Sequence, residues 1–197
     1  AERAGFEAFP RTAHQVHGVR VNVATPEPFP DGTQGDIVIT NQPSLAVGVF
    51  VADCVPVLLY APDVGAVAAV HAGWRGTAQA GARVTVQALH DAYGADPHRM
   101  IAAIGPSIKG CCYEVGQEVA DAMQMLPDPA ACLTKRGDRW MLDVQEANRQ
   151  QLEAAGLAPE NVHVSGLCTH CREDLFFSYR RDGAQSGRLI GAIALPA

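Results

Sequence analysis

Two short apolar runs, Val55-Pro56-Val57-Leu58-Leu59-Tyr60 and Val67-Ala68-Ala69-Val70, constrain this chain more than any other feature. Each is too short for a helix of ordinary length and is uninterrupted by charge, the pattern of a strand buried on both faces. Cys54 stands just before the first run and His71 ends the second. If the two strands pair, a thiol and an imidazole arrive at the same end of one sheet.

Around this core the chain changes period in a readable order. Val19, Val21 and Val23 alternate with polar neighbours as a half-buried strand does. Thr25 to Gly35 is a Pro/Gly-rich loop, and Asp36-Ile37-Val38-Ile39-Thr40 and Leu45 to Val51 are two further strands. After Gly76 the spacing turns helical: Thr77 is the expected N-cap, Val86, Leu89 and Tyr93 share a face, and Gly94 ends the helix. Met100 to Ile104 is a buried strand, and a helix is predicted over Glu114 to Leu126. A hairpin is predicted over Ala131 to Leu142, turning at Arg136-Gly137-Asp138. Asp143 caps a third helix, carrying Val144, Ala147 and Leu152, that stops at Gly156. Residues Ala1 to Pro10 read as a helix end and a breaker. The stretches at 162–164, 168–171, 175–179 and 189–195 read as short strands and turns. The expected fold is mixed α/β: one domain with a mixed sheet core and about three main helices.

Cys54 and His71 admit three readings. They are core residues, or a nucleophile with its base, or two ligands of a metal ion. His17, at the mouth of the first strand, is the natural third donor, and His14 the weaker choice. A Cys/His/His set leaves one tetrahedral position open, as in catalytic zinc. The same donors suit copper, but an electron-transfer copper site adds a weak axial Met. The four Met residues show no spacing that brings one to Cys54, so zinc is favoured. Seven His with no H-x-H pair are ill suited to the clustered coppers of an oxidase.

The other cysteines are less legible. Cys111-Cys112 with Cys168-Thr169-His170-Cys171 depart from the usual two C-x-x-C knuckles, which favours pocket-lining or packing over a structural zinc site. Arg75, beside Trp74 at the turn into a helix, and Arg180-Arg181 are candidate anion clamps, although any single Arg is more often in a surface ion pair. Asp53, next to Cys54, is a candidate proton shuttle or a support for the ligand.

Charge narrows the partners. A net charge of −6 with only 15 Lys+Arg argues against a nucleic-acid surface. No run approaches the roughly 20 apolar residues of a spanning helix, which speaks against a membrane role. No secretory signal opens the chain, so six cysteines are expected as reduced thiols or ligands and the location as cytoplasmic.

Taken together, Gln15-Val16-His17-Gly18, Ala52-Asp53-Cys54-Val55-Pro56, Val70-His71-Ala72-Gly73-Trp74-Arg75-Gly76, Gly105-Pro106-Ser107-Ile108 with Cys112-Tyr113-Glu114-Val115-Gly116, and Phe176-Phe177-Ser178-Tyr179-Arg180-Arg181-Asp182 with Gly187-Arg188 resemble the YfiH-like laccase-domain family. The resemblance spans essentially the whole chain. Members have been called polyphenol oxidases and are now regarded as purine nucleoside phosphorylases with adenosine deaminase and methylthioadenosine phosphorylase activity. The resemblance implies zinc held by His17, Cys54 and His71, and a purine nucleoside and phosphate as small-molecule partners. It also implies an α/β sandwich whose Cys/His pair lies like that of the cytotoxic necrotizing factor toxins, which keeps a metal-free Cys/His hydrolase as the alternative, beside a copper polyphenol oxidase. One catalytic domain over residues 1–197 is expected, without the additional N-terminal segment that members carry. Lys109 stands where the family turn differs and is expected to point outward; the oligomeric state is left open.

Overall fold

The computed structural model describes residues 8–197, so most of the helix end expected before Pro10 lies outside the described residues. A six-stranded mixed sheet forms the centre, in the order β1 (Val21–Val23), β2 (Ile37–Thr40), β5 (Ala66–Ala72), β4 (Val55–Ala61), β6 (Ile101–Ile104) and β10 (Val162–Val164). β4 and β5 are the two apolar runs. They pair antiparallel over seven residues, with Val55 opposite Ala72 and Pro56 opposite His71.

The central strands are buried on both sides because their side chains alternate between two cores. Ile37, Ile39, Val57, Leu59, Ala68 and Val70 face one core with α2 (Gly81–Tyr93) and α5 (Val144–Ala154), through Val86, Leu89, Ala147 and Leu152. Val38, Val67 and Ala69 face the other. There the antiparallel ribbon of β3 (Val47–Val51) and β11 (Leu189–Ile193) covers them with Val47, Val49 and Val51. The result is the expected sandwich. A third sheet, β7 (Glu114–Val115), β9 (Arg139–Leu142) and β8 (Leu133–Arg136), flanks it. Its β8–β9 hairpin turns at Gly137, whose φ of 63° is the left-handed value such a turn needs.

The helices differ from expectation in three places. Six α-helices are present among the described residues, but only α2 and α5 exceed ten residues. Thr77 is not an N-cap: it lies inside a short α1 (Trp74–Ala78), and the chain breaks at Ala80, with φ 60°, before α2 begins. The side chain of Thr77 is consumed instead as an acceptor from Asn148 Nδ2 at 3.0 Å, pinning α1 to α5. The helix expected from Glu114 is first a strand pair with β9 and only then α3 (Gln117–Ala122), because Glu114 and Val115 complete the flanking sheet. Between α3 and β8 lies α4 (Pro129–Cys132). Asp143 caps α5 as expected, accepting from Gln145 N and Glu146 N at 3.1 and 3.2 Å. Residues 168–171 and 175–177 form no strand; they are turns leading into α6 (Tyr179–Asp182).

No helix among the described residues is long and apolar enough to cross a membrane.

Candidate active site

The pairing of β4 with β5 delivers Cys54 and His71 to one sheet end, and the loop before β1 brings His17 to them. Ligand atoms of His17, Cys54 and His71 all lie within 4.8 Å of one another. The two imidazole rings meet edge to face at 4.8 Å between centroids. His71 is buried, Cys54 half-buried and His17 exposed, so the cluster opens to solvent on the His17 side.

The residue that organises this cluster is Asp36, which the sequence pattern marks only as the start of a strand. It is fully buried and its Oδ1 lies 2.7 Å from His71 Nδ1. The same carboxylate accepts the backbone N–H groups of Val16, His17 and Gly18 at 3.1, 2.9 and 2.8 Å. Three consecutive N–H groups around one anion form a nest, and it holds His17 at a left-handed φ of 61°. Asp36 therefore fixes one ligand by its ring and another by its backbone, leaving Nε2 of His71 for Cys54. The signal in the sequence was a charged residue heading the otherwise apolar Ile37-Val38-Ile39.

Charge follows geometry. Burial pushes the Cys54 thiol up, but hydrogen bonds from His17 and His71 and the imidazolium charge outweigh it and leave the thiol at about 7. Burial pushes His71 down, yet its bonds to Asp36 and Cys54 and their negative charges raise it to about 9. Asp36 stays below its ordinary value because the bonds from His71, Gly18 and Val16 overcome burial. The site is thus built to hold a thiolate beside cationic or electrophilic partners.

Gly73 completes the cradle. A Cβ there would lie 3.1 Å from Cys54 Sγ and 3.2 Å from His17 Cδ2, closer than side-chain atoms normally approach. Two imidazoles and a thiolate, packed against a position only glycine can fill without displacement, fit a borderline-soft divalent ion with one site left open.

Beside the cluster lies a cleft of about 280 Å³ whose walls include His17, Asp53, Trp74, Arg75, Tyr113 and Arg180. A larger cavity, about 400 Å³, lies between α1, α2 and residues 122–127 and holds no group of candidate ligands. Arg75 stacks its guanidinium over Trp74 at 4.4 Å, and Arg180 stacks over Tyr113 at 5.0 Å while donating to Glu114 O at 3.0 Å. Burial and the neighbouring Cys54 charge push the Tyr113 phenol up to about 12, which keeps its hydroxyl protonated.

Two expectations are corrected here. Arg181 does not share the cleft: its guanidinium is spent on Asp182 at 2.8 Å and on the carbonyls of Thr169, His170 and Phe176. Lys109 does not point freely outward, since its Nζ lies 3.6 Å from Asp143 and both side chains are about three-quarters covered. Asp53 lines the cleft, at a left-handed φ of 83°. Its carboxylate accepts from Thr169 Oγ1 at 2.6 Å, Ser178 Oγ at 3.1 Å and Arg180 N at 2.6 Å. It ties the Cys54 turn to the segment that carries Arg180.

Known proteins resemble this chain in sequence and in fold. The sequence model of the family described as multi-copper polyphenol oxidoreductase laccase matches residues 1–196. The purine nucleoside phosphorylase YlmD of Bacillus subtilis is 37% identical over 194 residues, covering 93% of this chain and 69% of that protein. A protein named adenosine deaminase RL5, from an unknown prokaryotic organism, is 38% identical over 161 residues, covering 80% and 61%. The crystal structure of YlmD from Geobacillus stearothermophilus superposes with a TM-score of 0.88 at 35% identity, covering 95% of this chain and 74% of that one.

Proposed function

The chain belongs to the multi-copper polyphenol oxidoreductase laccase family, and from that premise we propose that it is a zinc-dependent purine nucleoside phosphorylase with adenosine deaminase activity. The observation that carries the reading is the His17–Cys54–His71 cluster opening onto a cleft with two stacked arginines. The names of the relatives, one a phosphorylase and one a deaminase, support it.

In phosphorolysis an oxygen of phosphate bonds to the anomeric carbon as the bond to the base nitrogen breaks. The base leaves with that electron pair and takes a proton, giving free base and ribose 1-phosphate. In deamination water replaces the 6-amino group, which departs as ammonia. Zinc, when bound by His17, Cys54 and His71, supplies Lewis acidity beside the cleft. Arg75 and Arg180 hold the phosphate, because each presents a fork of donors and is stiffened by the ring beneath it. Tyr113, protonated, offers a hydroxyl donor to substrate oxygen or nitrogen. Asp53 positions Arg180 through its backbone N–H, and this is the role we assign it in place of a proton shuttle.

Zinc is favoured over copper because no methionine lines the cleft to act as the weak axial ligand. Within residues 8–197, the two groups of candidate ligands hold two histidines between them, too few for a multi-copper cluster. The deciding assay measures hypoxanthine and ribose 1-phosphate from inosine with and without phosphate. Hypoxanthine release indifferent to phosphate would overturn the phosphorylase reading.

A second reading rests on the Asp36–His71–Cys54 line, which has the order of an orienting acid, a base and a nucleophile. A metal-free hydrolase of this kind needs Cys54 and His71 but no ion. Loss of wild-type activity on metal removal, restored by added metal, would reject it, and full activity of the metal-free chain that vanishes in Cys54→Ser would establish it.

A further inference from the structure

Four thiols that the proposed function does not use come together in a second group. We propose that Cys111, Cys112, Cys168 and Cys171 form a closed tetrathiolate site for a structural zinc ion, separate from the His17–Cys54–His71 centre.

The spacing carries this reading. All four Sγ atoms lie within 4.8 Å of one another. Cys171 Sγ is 3.3 Å from Cys112 Sγ and 3.7 Å from Cys111 Sγ. A tetrahedron with Zn–S bonds of about 2.3 Å has S···S edges of about 3.8 Å, so the thiols already stand near the corners of such a figure. All are free cysteines, with Cys168 buried and Cys111 and Cys171 exposed, so an ion can enter from one side.

The backbone fixes the four before any ion arrives. Ser107 and Cys168 form a parallel bridge, with Ser107 N donating to Leu167 O at 3.4 Å and Thr169 N donating to Ser107 O at 3.0 Å. Gln145, reaching from α5, donates to both sides at once: to Ser107 Oγ at 3.1 Å and Leu167 O at 2.9 Å. A tight turn, in which the N–H groups of Cys112 and Tyr113 both donate to Lys109 O, brings the adjacent Cys111 and Cys112 to the same partner. The irregular spacing that made the motif unconvincing in the sequence is resolved by this turn.

The ion would clip the loop that lines the cleft with Ile108 and Tyr113 to the loop that anchors Asp53. Tyr113 follows Cys112 directly, and Thr169, which donates to Asp53, sits between Cys168 and Cys171. Four protein ligands leave no open position, so the role is structural.

The test titrates purified, reduced full chain with Co²⁺ and with Zn²⁺ under anaerobic conditions, reading absorbance and metal content. The expected result is two ions per wild-type chain. The intense visible bands and sulfur-to-metal charge transfer of a four-thiolate cobalt centre should persist in His17→Ala and in Cys54→Ser, each of which retains the four thiols. The double variant Cys112→Ser/Cys171→Ser should lose those bands and bind one ion. Chelation should lower the Tm of Cys54→Ser, which lacks the first centre. The proposal is overturned if wild type binds one ion and Cys54→Ser none. It is equally overturned if all four thiols react with a disulfide reagent as fast with zinc as without it, or if reduced protein given zinc still forms a Cys112–Cys171 disulfide. Because the spectroscopic arm uses variants with all four cysteines intact, it decides the matter even if the double variant misfolds.

Discussion

Asp36 Oδ1 lies 2.7 Å from His71 Nδ1, and the same buried carboxylate holds the backbone of His17. One acid thus orients two of the three donors from behind. Asp36→Asn keeps the shape but removes the charge, and it turns one acceptor oxygen into a donor facing N–H groups. Zinc affinity should fall about 10- to 100-fold, the usual cost of losing such a partner, measured by competition with a chromophoric chelator. Asp36→Glu should not restore it, because the fully buried nest has no room for the extra methylene.

The metal-free site should titrate in a distinctive way. The Cys54 thiol sits at about 7, below its ordinary 9.0, so the thiolate fraction rises as pH rises through about 7. Alkylation of Cys54 by iodoacetamide, followed by peptide mass spectrometry, should show that midpoint. In His17→Ala it should move upward, because a hydrogen bond that favours the thiolate is gone. The sign for stability follows from the depressed value. The stabilisation Cys54 contributes is complete above the ordinary thiol range and is lost as pH falls through about 7. The difference in urea resistance between metal-free wild type and Cys54→Ser should therefore shrink over that interval.

Gly73→Ala tests the cradle. The added methyl lies 3.1 Å from Cys54 Sγ and 3.2 Å from His17 Cδ2. It should displace one donor by a few tenths of an ångström and weaken metal binding while the fold survives. The expected pattern is a loss of bound metal with a Tm, taken in chelator, within a few degrees of wild type, since overpacking at an open-sided position costs about 1 kcal/mol.

The arginines should separate by kinetics. Arg75→Ala and Arg180→Ala should each raise KM for phosphate, about 10-fold or more for loss of a charge-assisted contact. Arg181→Ala should leave KM for phosphate unchanged and instead lower Tm, because its guanidinium holds three backbone carbonyls and Asp182. A phosphate effect confined to Arg181→Ala would overturn the assignment.

The sheet and the His17–Cys54–His71 cluster were legible because they obey local rules. Apolar runs of strand length identify β4 and β5, and thiol and imidazole at their ends mark the site from the sequence alone. The resemblance supplied the same three donors. What stayed hidden depends on long-range partners. Asp36 reveals its role only when β2 lies beside β5, and the carbonyls that occupy Arg181, a candidate anion clamp in the sequence, come into view only once the turn at 169–176 wraps it. Cys111, Cys112, Cys168 and Cys171 were discounted because their spacing matches no repeated knuckle. Their convergence depends on a bridge between Ser107 and Cys168, which lie far apart in the chain. The α1–α2 break at Ala80 had no signal either, since Gly or Asn, and not alanine, is the usual residue at a left-handed position.

The rung pairing of β4 with β5 has a consequence for how such a chain can vary. Pro56 stands opposite His71, and the hairpin that joins the strands turns at residues 62–65, at the other end of the ladder. The span between thiol and imidazole is therefore inherited from hydrogen-bond spacing and not from loop length. Insertions at the hairpin tip can accumulate without touching the donors, whereas a slip of a single rung would send His71 through the sheet to the opposite core. Lineages of this fold are free to elaborate one end of the sheet while the other is held to a fixed gauge.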